Sequence, residues 1–85
     1  MKYYIGKIME RNGDYEYTDS YLFKTEDNPH DYGEKQAMEW RGSGEDDWDE
    51  DHEAWWCDCT LVSNGGHIEV TKEDFDVLSK YIAVL

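Results

Sequence analysis

The first 24 residues alternate between apolar and polar positions on both sides of a short turn signal. Asn12-Gly13 is the pair that most favours a type I′ turn, because both turn positions need positive φ. Asp19 interrupts an otherwise regular aromatic face that follows this turn. On that face, aromatic side chains recur at alternate positions of one strand: Tyr15, Tyr17, Tyr21 and Phe23. We therefore predict a β-hairpin over residues 2–24.

The next segment has the spacing and the end signals of a helix. Asn28 is a suitable N-cap, and Pro29 suits the first helical position because no backbone N–H is needed there. A narrow apolar stripe follows at helical spacing, made by Tyr32, Ala37 and Trp40. We predict a helix over residues 29–41, ended by the Gly-Ser-Gly run at 42–44.

The second half repeats the order of strand, strand and helix after a segment without periodicity. Residues 45–53 are predicted to be a loop. Alternation over 54–63 predicts a strand, and the Asn-Gly-Gly run at 64–66 predicts a turn into a short strand at 67–70. Thr71 then caps a final helix, whose apolar stripe is Phe75, Leu78 and Ile82.

This order of elements predicts an α+β fold of the ββαββα type. Hairpins pair antiparallel strands, so we expect a four-stranded antiparallel sheet with two helices on one face. A chain of 85 residues is long enough for one modest core. We therefore expect a single domain over residues 1–85, with a mobile acidic loop at 42–53.

The composition is strongly acidic, because 21 Asp and Glu residues against 8 Lys and Arg residues give a formal net charge of −13. Such a chain lacks the cations that displace counterions from phosphates, which argues against direct nucleic-acid binding and against docking on anionic membranes. An aromatic content of 15% indicates a folded domain and not a disordered acidic chain. No apolar run suits a signal peptide or a membrane span, so we expect a cytoplasmic protein.

The most concentrated charge lies between Glu45 and Asp58, where eight of fourteen residues are acidic and none is Lys or Arg. Like charges held this close repel one another, so they favour water, counterions or a cationic partner. Tryptophans lie inside the same run and could stack on Arg guanidinium groups. The candidate partner-binding residues are Glu45, Asp46, Asp47, Trp48, Asp49, Glu50, Asp51 and Glu53.

The carboxylates of this run alternate along the sequence, so an extended segment would repeat them on one face at ~6.6 Å. A nucleic-acid strand likewise presents a regular line of single negative charges. Four acidic residues would extend the surface if the first helix packs beside the loop: Glu26, Asp27, Asp31 and Glu34.

These features favour a small inhibitor that binds a nucleic-acid-handling protein or complex by mimicking the charge of DNA or RNA. Phage and mobile-element inhibitors of the anti-CRISPR and anti-restriction type are proteins of this kind. Its partner would be a basic nucleic-acid-binding protein. The alternative is a non-catalytic accessory protein, including a homodimer, whose acidic loop is only a solvated or weakly cation-binding surface.

Metal-binding patterns are incomplete in this chain. A calcium loop that starts at Asp47 needs Gly at its sixth position and Glu at its twelfth, where the chain has His52 and Asp58. Cys57 and Cys59 are separated by one residue, whereas paired zinc ligands are separated by two to four. No glycine-rich phosphate loop or nucleophile elbow is present, so we expect neither a cofactor nor an enzymatic activity.

Overall fold

In the computed structural model, which describes residues 1–85, one antiparallel sheet of five strands carries two helices. The strands are β1 (Lys2–Asn12), β2 (Tyr15–Thr25), β3 (Trp48–Asp49), β4 (Ala54–Cys57) and β5 (Thr60–Val70). The helices are α1 (Pro29–Glu39) and α2 (Lys72–Leu78), and a 3-10 helix covers Glu45–Asp47. The strand order across the sheet is β2-β1-β5-β4-β3. The predicted α+β class is confirmed, whereas the predicted count of four strands is wrong. Neither helix has the length and the apolar character that crossing a membrane requires.

The predicted first hairpin is present, with its turn one residue later than expected. Asn12 pairs with Tyr15 at the end of the ladder, so the two loop residues are Gly13 and Asp14. Only Gly13 has a positive φ there, 59°, which matches a type II′ turn with glycine at its first loop position. The expected type I′ turn is wrong because Asn12 completes the strand pairing instead.

The strand predicted over residues 54–63 is interrupted by a second hairpin turn. Cys57 pairs with Thr60, so Asp58 and Cys59 form a two-residue loop between β4 and β5. Asp58 has φ 53°, a left-handed conformation that Asp tolerates better than most residues because its short side chain can hydrogen-bond locally. The expected single strand is therefore β4 and the beginning of β5.

The turn predicted at residues 64–66 is a β-bulge inside β5. Lys7 of β1 pairs with Gly66 and the next residue, Ile8, pairs with Asn64, so Gly65 has no partner in the ladder. Gly66 has φ 97°, which glycine adopts without a Cβ clash. The glycine run therefore bends one long strand and does not separate two short ones.

The acidic segment contributes the fifth strand, which we did not predict from the sequence. Trp48 pairs with Trp55, and Asp49 pairs with Ala54. Two residues are too few to show an alternating pattern. This edge strand is therefore defined by its pairing with β4 and not by a local signal.

The two helices pack on opposite faces of the sheet, so the prediction that both lie on one face is wrong. Consecutive residues of a strand point to opposite faces. Tyr4 stacks on Phe23, which stacks on Tyr32 of α1, whereas Tyr3 contacts Phe75 of α2. Because β1 carries aromatic side chains on both faces at its start, each face needs its own cover.

The main core lies between α1 and the sheet. Its buried side chains are Tyr4, Ile8, Tyr21, Phe23, Ala37, Trp55 and Val62. The predicted N-cap of α1 is confirmed, since the Asn28 carboxamide oxygen accepts the N–H of His30 at 2.8 Å. Gly33 allows α1 to approach β5 closely, because a Cβ there would lie 2.8 Å from Asn64 Oδ1. This contact brings the adjacent Glu34 next to β5.

The last residues of the chain lie along the outer edge of β2. The N–H of Leu22 donates to the carbonyl of Ala83, and the N–H of Leu85 donates to the carbonyl of Leu22, both at 2.8 Å. The Tyr32 hydroxyl donates to the carbonyl of Leu85 at 2.6 Å. Val84 and Leu85 stay about half exposed, so this segment covers a strand edge more than it fills the core.

Candidate functional site

The charged part of the predicted loop, residues 45–53, consists of the 3-10 helix, β3 and the turn that leads into β4. From here on these residues are named the acidic loop. At the start of the 3-10 helix, the Asp47 carboxylate accepts the N–H of Gly44 at 2.8 Å. This bond satisfies a backbone donor that the helix itself leaves free, as acidic residues near helix starts commonly do. Asp47 therefore supports the local backbone of the loop.

Asp49 holds the turn of the acidic loop together. Its Oδ1 accepts the N–H groups of Asp51 and His52 at 3.0 and 3.3 Å. Its Oδ2 lies 2.9 Å from His52 Nδ1 and accepts the indole N–H of Trp56 at 2.9 Å. The hydrogen bond from Trp56, followed by that from His52, holds the pKa of Asp49 below its usual value. Asp49 thus stabilises the loop, and its negative charge is largely compensated by the hydrogen bonds that it accepts there.

Five carboxylates of the acidic loop have no partner inside the protein. They are exposed, form no side-chain hydrogen bond, and belong to Glu45, Asp46, Glu50, Asp51 and Glu53. The ion pairs of Lys and Arg all lie outside the loop: Lys2–Glu69, Arg11–Glu16, Arg41–Glu10 and Lys72–Asp76. The charge of the loop is therefore not neutralised within the molecule and is available to a cationic partner.

Trp48 lines an open depression beside these carboxylates. It is 38% exposed, and its ring centroid lies 4.4 Å from that of the buried Trp55. The residues around the depression are His30, Glu34, Trp48, Glu50, Glu53 and Asn64. An exposed indole among three carboxylates can attract an Arg or Lys side chain through charge and through a cation–π contact.

The backbone of the acidic loop is strained at one of these carboxylates. Glu53 has φ 51°, in the left-handed region, which costs a residue with a Cβ about 1 kcal/mol. Asn or Gly fits this conformation more easily than Glu. The fold therefore keeps a carboxylate at a position where another residue would stabilise the turn better.

The structure brings together part of the predicted set. Trp48, Glu50 and Glu53 share the depression, while Asp47 and Asp49 bind groups of the loop and its flanks. Glu34 joins the depression, as expected if the first helix packs beside the loop. By contrast, Glu26 and Asp27 line a different depression, together with Met1, Lys2, Tyr4, Thr25 and Pro29.

Sequence reasoning missed two residues of the depression, His30 and Asn64. His30 Nε2 lies 3.7 Å from the Glu34 carboxylate, one helical turn away. Asn64 Nδ2 donates to the same carboxylate at 3.4 Å. Their place depends on how α1 packs against β5, so no local pattern indicated either residue.

The two cysteines considered as zinc ligands lie at the hairpin between β4 and β5. Cys57 Sγ donates to the carbonyl of Arg41 at 3.2 Å, and Cys59 is exposed in the β4–β5 turn. No three His, Cys, Asp or Glu side chains converge in a way that could hold a metal ion.

In comparisons with known proteins, no family model, no curated protein and no solved structure matches this chain.

Proposed function

We propose that this protein is a small acidic inhibitor, which binds a basic nucleic-acid-handling protein or complex and blocks it by mimicking the charge of DNA or RNA. The proposal rests on the five unpartnered carboxylates of the acidic loop, placed beside a partly exposed Trp48. The role is binding and not catalysis. Inhibitors of the anti-CRISPR and anti-restriction type, carried by phages and mobile elements, act in this way in the cytoplasm.

The charge of the acidic loop suits a groove that normally holds a nucleic acid. Such grooves present Lys and Arg, which bind a line of phosphate charges with release of counterions. Glu50 and Glu53 border the same depression as Glu34, so the negative surface continues from the loop onto α1. Attraction between opposite charges accelerates association, and a screening length of ~8 Å at physiological salt makes the binding sensitive to ionic strength.

The hydrogen bonds within the loop favour binding by reducing the ordering that a partner must impose. Asp47 and Asp49 hold the backbone on both sides of β3. Trp48 packs against Trp55, so its indole is positioned in advance. A pre-ordered contact surface loses less conformational entropy on binding, and tryptophan is among the residues that contribute most to protein interfaces.

The test compares two variants with the same change in charge and in residue types. The loop variant carries Glu45→Gln, Asp46→Asn, Glu50→Gln and Glu53→Gln. The control variant carries Asp14→Asn, Glu26→Gln, Glu39→Gln and Glu73→Gln, all at exposed positions outside the loop. Both variants leave Asp47 and Asp49 in place, so the loop keeps its internal hydrogen bonds.

Inhibition of DNA binding by purified restriction complexes and RNA-guided nucleases is measured by gel shift at ~50 and ~200 mM salt. The unmodified protein and the control variant are expected to inhibit a member of this panel, less strongly at the higher salt. The loop variant is expected to inhibit about 100-fold more weakly.

Equal inhibition by the loop and control variants would contradict the acidic loop as the contact surface. Inhibition that does not change with salt would contradict charge mimicry. If no member of the panel is inhibited and the protein sediments as a dimer that the loop substitutions leave intact, the homodimeric accessory role is supported instead.

A further inference from the structure

The β1–β2 hairpin extends well past the helix that covers it. Each strand has 11 residues and spans ~36 Å, whereas the 11 residues of α1 span ~16 Å. Tyr15 and Tyr17 lie on the same face as the buried Tyr21, but they are 69% and 55% exposed. Their ring centroids are 6.5 Å apart and the rings are parallel to within 10°. The aromatic face of β2 is therefore buried in the core at the end with Tyr21 and exposed at the end with Tyr15 and Tyr17.

An open polar depression lies where the covered part of this face meets the exposed part. It has a volume of about 440 Å³ and is lined by Glu10, Asn12, Tyr17, Asp19, Arg41 and Thr60. Glu10 is only 5% exposed and pairs with the Arg41 guanidinium. A hydrogen bond with Glu10, together with partial burial and the Glu10 charge, raises the pKa of Asp19. Arg41 pairs with Glu10 alone and no Lys or Arg pairs with Asp19, so the Asp19 carboxylate carries a negative charge without a cationic partner.

We propose that Tyr15, Tyr17 and Asp19, named the tyrosine surface, form a second contact site that takes an arginine side chain of a protein partner. The guanidinium group suits this place because it can pair with the Asp19 carboxylate and stack on a tyrosine ring at the same time. Its positive charge compensates the carboxylate that Arg41 leaves without a full partner.

The charge of the protein favours this occupant over two others. A second copy of the chain would bring another net charge of −13, and the two copies would repel. A single-stranded nucleic acid could stack on the tyrosines, but its phosphates would approach Glu10 and Asp19. The tyrosine surface shares no residue with the depression at Trp48, so it stands whether or not the acidic loop acts as an inhibitor.

The test is a titration of the full chain with an acetylated and amidated pentapeptide of alternating Arg and Gly, followed by backbone amide NMR shifts. The shifts at the tyrosine surface are expected to report a binding event that Asp19→Asn weakens about fivefold and Tyr17→Ala about threefold. Asp27→Asn and Tyr81→Ala make the same changes at exposed positions away from the surface. These controls are expected to change the dissociation constant by less than about twofold.

Shifts confined to the acidic loop would overturn the assignment, as would equal weakening by Asp19→Asn and Asp27→Asn. Shifts at Tyr17 that grow with protein concentration alone would identify a second copy as the occupant, and equal shifts with oligothymidylate would identify a nucleic acid. Either result would overturn the proposal. If Asp19→Asn alters the amide spectrum throughout the chain, the comparison of Tyr17→Ala with Tyr81→Ala decides the question.

Discussion

Asp19→Asn is expected to stabilise the protein at neutral pH, although it removes a charged group from a polar depression. Ile8 pairs with Asp19 and Glu10 pairs with Tyr17, so the two carboxylates are diagonal neighbours on the same face of the hairpin. Asn has nearly the shape of Asp, and its NH₂ group can donate to the Glu10 carboxylate as a protonated Asp19 does. The substitution therefore removes the repulsion and keeps the hydrogen bond.

The size of the effect follows from the position of the two charges. Cross-strand charge pairs change the stability of a sheet by roughly 0.2–1 kcal/mol, and like charges act in the destabilising direction. Because 1 kcal/mol moves the Tm of a domain this small by about 4–8 °C, Asp19→Asn is expected to raise Tm by about 1–8 °C at pH 7.

The sign of the pH dependence follows from the pKa of Asp19, which its hydrogen bond with Glu10 raises in the folded state. A raised folded pKa means that the group's contribution to stability is fully present below its unfolded pKa, about 3.9, and is lost as the pH rises through the folded pKa. The gain in Tm from Asp19→Asn is therefore expected to appear as the pH rises through the folded pKa of Asp19, and to be small at pH 3.5.

The assay is thermal unfolding followed by circular dichroism at pH 7 and pH 3.5, with Asp14→Asn as the control. Asp14 lies exposed in the hairpin turn. A lower Tm for Asp19→Asn at pH 7 would refute the reasoning, because it would mean that Arg41 attracts Asp19 more than Glu10 repels it. Equal gains in both variants would also refute it, since relief of the overall negative charge would then explain the result.

Three further substitutions test the acidic loop and the contact of α1 with β5. Glu53→Asn is expected to raise Tm by about 2–4 °C in the same assay, because Asn adopts φ 51° more readily than Glu. Asp49→Asn is expected to lower Tm and to shift tryptophan fluorescence to longer wavelength, because the Trp56 indole loses its charged acceptor. Since Trp56 chiefly, and His52 as well, lower the pKa of Asp49, its stabilising effect is present above the unfolded pKa and lost as the pH falls through the folded pKa. Gly33→Ala is expected to lower stability in urea unfolding despite a gain of about 1 kcal/mol in helix propensity, because its Cβ would lie 2.8 Å from an oxygen of Asn64. In an Asn64→Ala background the same substitution is expected to be neutral or stabilising, which a double-mutant cycle measures.

The first half of the fold could be predicted because its signals are local. The alternation of β1 and β2, the Asn28 cap and Pro29 each act within a few residues of their own position. The second half could not, because Asn64-Gly65-Gly66 suits a bulge as well as a turn, and only pairing with β1 decides between them. The faces chosen by the helices likewise depend on contacts between elements that lie far apart in the chain.

The candidate site was likewise predictable only in part. The charge of residues 45–53 and the presence of Trp48 are visible in the sequence. Which carboxylates are free is not visible, because Asp47 and Asp49 differ from their neighbours only through hydrogen bonds formed in three dimensions. The alternation in the sequence shows that Tyr15 and Tyr17 share a face with Tyr21 and Phe23, but it does not show how far along that face a helix covers the strand.

Gly65, the unpaired residue of β5, determines toward which helix the apolar side chains of each half of that strand point. Before Gly65, Val62 lies opposite Glu10, on the side covered by α1; after it, Ile68 lies opposite Ile5, on the side of α2. Both apolar residues are even-numbered, and an uninterrupted ladder would put them on the same side. If Gly65 were paired in a regular ladder, one half of the strand would turn over and its apolar side chains would point away from the layer that they now contact, whereas deletion of Gly65 would leave every other residue opposite its present partner.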